Sequence, residues 1–148
     1  MLTSRFLTAV LALFAMLFAN GCASSKKKEE GALHARIGTA LLQQGHFPDA
    51  LRELLEAEKL DPQNALTQNN LGLAYFMREK YKLAADHIER AVSIDPKYSE
   101  ARNNYGRVLI ELGRYDDAIS QLRTVLNDLT YNDPTKALVN LGMAQFRD

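Results

Sequence analysis

Four polar side chains each stand two residues ahead of a recurring glycine: Arg36 before Gly38, Asn70 before Gly72, Asn104 before Gly106 and Asn140 before Gly142. A primary amide donates and accepts at once, so a row of them can grip an extended peptide backbone or tie one helix to the next. Both readings fit the spacing. Asn69 and Asn103 double the amides in two of the repeats, and Leu73 with Met77, Arg107 with Glu111 and Met143 with Arg147 follow on the same helical face. That gives an apolar patch flanked by charge. Groups for catalysis are not assembled in the same way. His34, His46 and His87 have no metal-ligand spacing. No glycine-rich phosphate loop or Gly-x-Ser-x-Gly elbow occurs, and Asp116 and Asp117 open a helix, where carboxylates favour the dipole. No enzyme, cofactor, metal site or small-molecule substrate is expected.

The elements that position these groups follow from a period of 34. Gly38, Gly72 and Gly106 form one series; Ala50, Ala84 and Ala118 a second; Leu54, Ile88 and Leu122 a third; Phe47, Tyr81 and Tyr115 a fourth. A period of this length marks stacked helix-turn-helix units, which build a curved surface rather than a closed pocket. The first repeat, 31–64, has an opening helix ended by Gly45 and a second helix closed at Asp61-Pro62, where the residue before proline is pushed out of helical geometry. Repeat two, 65–98, copies it through Asp95-Pro96. Repeat three, 99–134, carries a longer turn, since Gly106 to Gly142 spans 36 residues. Residues 135–148 supply a fourth opening helix with Leu138, Leu141, Gly142 and Phe146. On this helix Met143 and Phe146 are expected to stay partly exposed, as a cap, an interface or the edge of a truncated array.

Basic and acidic residues balance at 18 each, so broad attraction to nucleic acid is not indicated. With one cysteine, an intramolecular disulfide is excluded. Residues 1–21 read as an export signal: Arg5 supplies positive charge, Phe6 to Ala19 form an apolar run too short to span a bilayer as a helix, and Ala19-Asn20-Gly21 precede Cys22. A small residue directly before a cysteine resembles the lipobox of bacterial lipoproteins, in which the cysteine becomes the acylated first residue. Asn20 and Ala19 depart from the commonest residues of that motif. Residues 22–30, Cys22 followed by a polar stretch through Glu30, read as lipid attachment and tether. By the same resemblance, Ala23 implies sorting to the periplasmic face of the outer membrane of a Gram-negative cell.

Residues 31–148 resemble the tetratricopeptide repeat: Leu71-Gly72 and Tyr75 in an opening helix, then Ala84, Ile88, Ala91 and Pro96 in its partner. The resemblance implies an all-α, right-handed solenoid of three repeats plus a fourth opening helix, with first helices lining the concave face. It implies that Arg36, Asn70, Leu73, Met77, Asn104, Arg107 and Asn140 form a groove for a protein segment. The Trp of the motif is replaced by His34, Gln68 and Arg102. Asn103-Asn104-Tyr105-Gly106, Arg114-Tyr115-Asp116-Asp117-Ala118 and the long turn through Tyr131 and Pro134 further resemble the pilotin lipoproteins of type IV pilus biogenesis, the PilF, PilW and Tgl group. That resemblance implies an outer-membrane secretin as partner. The alternative is a general periplasmic scaffold for cell-envelope enzymes.

Overall fold

The computed structural model describes residues 25–147. Over that range the chain forms α1 (25–43), α2 (Phe47–Leu60), α3 (Ala65–Phe76), α4 (Tyr81–Ile94), α5 (Ser99–Glu111), α6 (Tyr115–Leu126) and α7 (Pro134–Arg147). This is the all-α solenoid of antiparallel pairs that the period requires. Successive helices pack together from α2 to α7, and α3 and α7 each touch α5, whereas α2, α4 and α6 touch only odd-numbered helices. The odd helices therefore line the inside of the curve.

The pairs close through a repeated turn. The N–H groups of His46, Lys80 and Arg114 donate to the carbonyls of Leu41, Tyr75 and Leu109 at 2.9, 3.0 and 2.9 Å, satisfying a helix end in the same way three times. The turn needs a left-handed residue, supplied by Gly45 (φ 79°) and Gly113 (φ 72°); the second repeat places Glu79 there at φ 58°. Starts are marked by Pro48 in the first turn of α2 and by Asn64, whose side chain accepts from the Thr67 N–H at 2.9 Å.

Within each pair a glycine lets the helices touch. A methyl group on Gly38 would stand 2.6 Å from Leu54 Cγ, one on Gly106 would stand 2.7 Å from Leu122 Cγ, and one on Gly72 would overlap Ile88. Leu54, Leu71, Ile88, Leu109 and Leu122 are fully buried and form the core.

Three expectations change. The polar residues from Ser25 to Glu30 are exposed and helical, so this part of the expected tether is a helical extension of α1; lysine and glutamate are good helix formers, and a helix rises only about 1.5 Å per residue. The last helix begins at Pro134, and it buries Ala137, Asn140 and Ala144. Leu138, expected in its packed stripe, is exposed instead, and Met143 and Phe146 are exposed as well, as anticipated for this helix. Cys22 and the apolar run lie outside the described residues.

The inserted turn before α7 is pinned at both ends. Asp128 accepts from the Ser99 hydroxyl and from Thr130, while Glu100 accepts from Tyr131 Oη at 3.0 Å and from Lys136 Nζ at 2.6 Å. Those bonds hold the Asp128 carboxyl below its ordinary range, and burial beside Glu100 pushes the Tyr131 phenol well up.

Candidate functional site

The asparagine row is a ladder between repeats. Asn70 Nδ2 donates to Thr39 Oγ1 at 2.7 Å, and the Thr39 hydroxyl donates in turn to the Ala35 carbonyl. Asn69 Nδ2 donates to Asn70 Oδ1 at 3.1 Å, Asn104 Nδ2 to Asn69 Oδ1 at 3.0 Å, and Asn140 Nδ2 to Asn103 Oδ1 at 2.9 Å. All five amides are buried. Asn70, Asn104 and Asn140 thus each donate to the opening helix of the preceding repeat, which supports the reading in which these residues tie neighbouring helices together. The reason is the spacing itself, because a side chain two residues before the close-packed glycine points along the stack toward the preceding repeat. One link is open: Asn103 Nδ2 is buried with no partner among the described residues.

The surface beside the ladder comes from the remaining expected residues. Arg36 is exposed on α1. Leu73 on α3 is half-buried, Met77 just past the end of α3 is exposed, and both edge a cleft of about 360 Å³ that they share with Leu42, Gln43, Gly45 and Phe47. On α5, the Arg107 guanidinium lies over the Phe76 ring, 4.1 Å from its centre. A cation held against an aromatic face is positioned at low entropic cost and keeps its outer edge for a partner. Phe76 in turn leans on Tyr81, with ring centres 5.5 Å apart. Glu111 faces Arg147 at 3.7 Å, so the far end of the surface is internally neutralised. The result is an apolar cleft and an arginine plate on the inward helices, suited to an apolar side chain followed by an acceptor group.

A second set of contacts was not anticipated from the sequence. The residues four before the repeat glycines reach across to the second helix of their own repeat: His34 Nδ1 to Glu53 Oε2 at 2.8 Å, Gln68 to His87 at 2.8 Å and Arg102 to Gln121 at 2.8 Å. Each pair is 19 residues apart, a regularity visible once the repeats are aligned. His87 stacks on Tyr75 with ring centres 5.2 Å apart, and its Nδ1 faces the Gln68 carbonyl, so Nδ1 carries the proton of the neutral ring. Burial pushes its pKa below the ordinary histidine value, against the opposing pull of Glu58. Among the described residues no group of three or more His, Cys, Asp or Glu side chains could hold a metal ion, and no helix is long and apolar enough to cross a membrane.

Two family models described as tetratricopeptide repeat match residues 36–99 and 75–145. The chain is 28% identical to the type IV pilus assembly protein PilF of Pseudomonas aeruginosa over 137 residues, covering 86% of this chain and 54% of that protein. It therefore spans about half the length of this relative. The solved structure of Pseudomonas aeruginosa pilF superposes with a TM-score of 0.75 at 26% identity, over 82% of this chain and 55% of the other. The first repeat domain of Spaghetti (RPAP3), solved with the HSP90 peptide SRMEEVD, gives a TM-score of 0.74 at 20% identity over 80% of this chain and 93% of the other, a likeness of fold.

Proposed function

The chain belongs to the tetratricopeptide repeat proteins, and from that premise we propose that it acts as a protein-binding scaffold whose inward surface holds a segment of a partner. The observation that supports this most directly is the Leu73–Met77 cleft beside the Phe76–Arg107 pair, since these side chains are not consumed by the ladder. An extended segment would set an apolar side chain into the cleft and an acidic or carbonyl group against Arg107. Binding of this kind needs no chemical step; it raises the local concentration of whatever is bound. The test is a panel of extended peptides against the full chain and a Leu73→Asp, Met77→Asp variant. The variant is expected to keep its helical signal and lose at least tenfold in affinity for peptides bearing an apolar anchor. Equal affinity would remove the cleft from the binding surface.

A narrower reading rests on the similarity to PilF. In it, acylated Cys22 holds the solenoid on the periplasmic side of the outer membrane, and the partner is a secretin subunit whose ring assembly the scaffold assists. Two measurements address it. Cys22→Ala should release the chain from the outer-membrane fraction, and deletion should reduce heat- and detergent-resistant secretin multimer while monomer remains. Unchanged multimer would leave the general scaffold as the function.

A further inference from the structure

The junctions between repeats are built alike, and one of them lacks a charge that the other supplies internally. Where repeat one meets repeat two, Gln68 donates to the Pro62 carbonyl at 3.2 Å and to Glu58 Oε1 at 2.9 Å, and the same Glu58 oxygen accepts from Arg90 at 2.8 Å. Glu58 on α2 and Arg90 on α4 thus span this junction as an ion pair. Moved on by the period of 34, Gln68 becomes Arg102, Pro62 becomes Pro96, Glu58 becomes Val92 and Arg90 becomes Thr124. Arg102 keeps the carbonyl contact: its Nε and Nη2 donate to the Pro96 carbonyl at 3.1 and 2.9 Å, and its Nη1 donates to Gln121 at 2.8 Å. No carboxylate takes the place of Glu58.

Instead there is a cleft of about 470 Å³, lined by Arg102 and Thr124 together with Pro96 and Lys97 of the turn before α5 and Asn127 at the end of α6. Volumes of this size are those of ordinary ligand sites. Lys97, which replaces the neutral Gln63, adds a second cation. None of the ion pairs among the described residues includes Lys97 or Arg102. Asp128 is the carboxylate in the wall, and it is already engaged by the Ser99 hydroxyl and by the N–H and hydroxyl of Thr130. Arg102 has used three of its five N–H groups, one on each nitrogen, so Nη1 and Nη2 each retain one. Paired guanidinium N–H groups are what a carboxylate accepts from.

We propose that this cleft binds an aspartate or glutamate side chain of a partner polypeptide, whose carboxylate stands in for Glu58 and accepts from Arg102 with Lys97 alongside. The charge balance selects the ligand. Two cations against Asp128 leave one positive charge, which a single carboxylate neutralises; a phosphate group, carrying nearly two negative charges, is repelled by Asp128. The fixed guanidinium matters because an exposed pair of mobile side chains contributes little. The cleft shares no residue with the one at Leu73 and Met77, so binding here is independent of the inward surface.

The test follows the backbone amides and the Arg102 Nε–H of the full chain by two-dimensional NMR during titration with capped hexapeptides bearing one central glutamate among randomised uncharged residues, and with the matched glutamine pool. Signals of Lys97, Asn127 and Thr130 and the Arg102 Nε–H should shift saturably with the glutamate pool and at least tenfold more weakly with the glutamine pool. Arg102→Gln restores the amide that meets the Pro62 carbonyl in the first junction, so it should keep the fold and weaken binding at least tenfold; Lys97→Glu, at an exposed position, should abolish it. Leu73→Asp with Met77→Asp should leave these shifts unchanged, which separates this site from the inward surface. Equal shifts with the glutamine pool, or glutamate binding that survives both Arg102→Gln and Lys97→Glu, overturn the proposal. So does inorganic phosphate that shifts the same signals at lower concentration than the pool, which would make this a phosphate site. N-acetylglutamate α-amide binding as tightly as the pool overturns it too, since the ligand would then be a small acid rather than a polypeptide.

Discussion

The same substitution at two equivalent glycines should act with opposite sign. Gly106 and Gly142 both lie inside helices, and replacing either with alanine improves helix propensity by about 1 kcal/mol. At Gly106 the new methyl would stand 2.7 Å from Leu122 Cγ, 2.9 Å from Cδ2 and 3.1 Å from Cδ1. Leu122 is fully buried beneath α5. Forcing a methyl into such a contact costs roughly 1–3 kcal/mol, so Gly106→Ala should be destabilising by up to about 2 kcal/mol after the propensity gain. At Gly142 nothing opposes the methyl, and the variant should be more stable by roughly 0.5–1 kcal/mol. Because the propensity gain is common to both, their difference isolates the steric cost of the helix–helix contact. Urea denaturation followed by far-ultraviolet circular dichroism measures both, checked by the thermal midpoint, where each kcal/mol is worth roughly 3–5 °C for a chain of this size. If Gly106→Ala stabilises as much as Gly142→Ala, the close approach at the repeat glycine is wrong; if Gly142→Ala costs as much as Gly106→Ala, the open state of α7 is.

Further outcomes follow from single contacts. Glu79 occupies the left-handed turn position that Gly45 and Gly113 fill in the neighbouring repeats, so Glu79→Gly should stabilise by about 1 kcal/mol; a loss in denaturant midpoint would count against strain there. Asn140→Ala removes the donor to buried Asn103 Oδ1 and should cost about 1–3 kcal/mol, with faster hydrogen exchange in α7; unchanged exchange would mean the ladder carries no load. His87 has a folded pKa below its unfolded value of 6.5, so its contribution is present above that pH and is lost as pH falls through 6.5 toward the folded value. Stability should therefore drop more between pH 7 and pH 5 in the parent than in His87→Gln, and equal drops would refute the buried neutral ring.

Much of the fold was legible because the repeat states each structural decision several times. Gly38, Gly72 and Gly106 declare a close contact, and Ala50, Ala84 and Ala118 declare its other side. The first turn of α1 was not legible in the same way. Ser25 to Glu30 have no apolar periodicity, and on an exposed helix extension none is needed, since helix propensity and attachment to the packed part of α1 suffice. The place of Leu138 on α7 was misassigned for a related reason. Periodicity marks it as part of an apolar stripe, but whether a stripe is buried depends on a helix lying across it, and among the described residues none does.

The asparagines show where residue chemistry alone runs out. A side chain that can bind a peptide backbone can equally bind another asparagine, and sequence gives the spacing of these groups without the direction in which they point. Their burial against the preceding repeat has a consequence for any binding experiment. The ladder runs from Ala35 through Thr39, Asn70 and Asn69 to Asn104, and from Asn103 to Asn140, so it fixes the angle between successive repeats. That angle sets the spacing of Leu73, Met77 and Arg107 across the inward surface. Truncating Asn70 or Asn104 would thus alter peptide affinity even if neither amide ever met the peptide, by letting the repeats rotate and by leaving buried polar atoms unpaired. Substitutions at Leu73 and Met77 do not carry this ambiguity, since both side chains edge the cleft and neither carries a polar atom of the ladder. A groove role is decided at those positions, and the asparagines report instead on how rigidly the solenoid presents them.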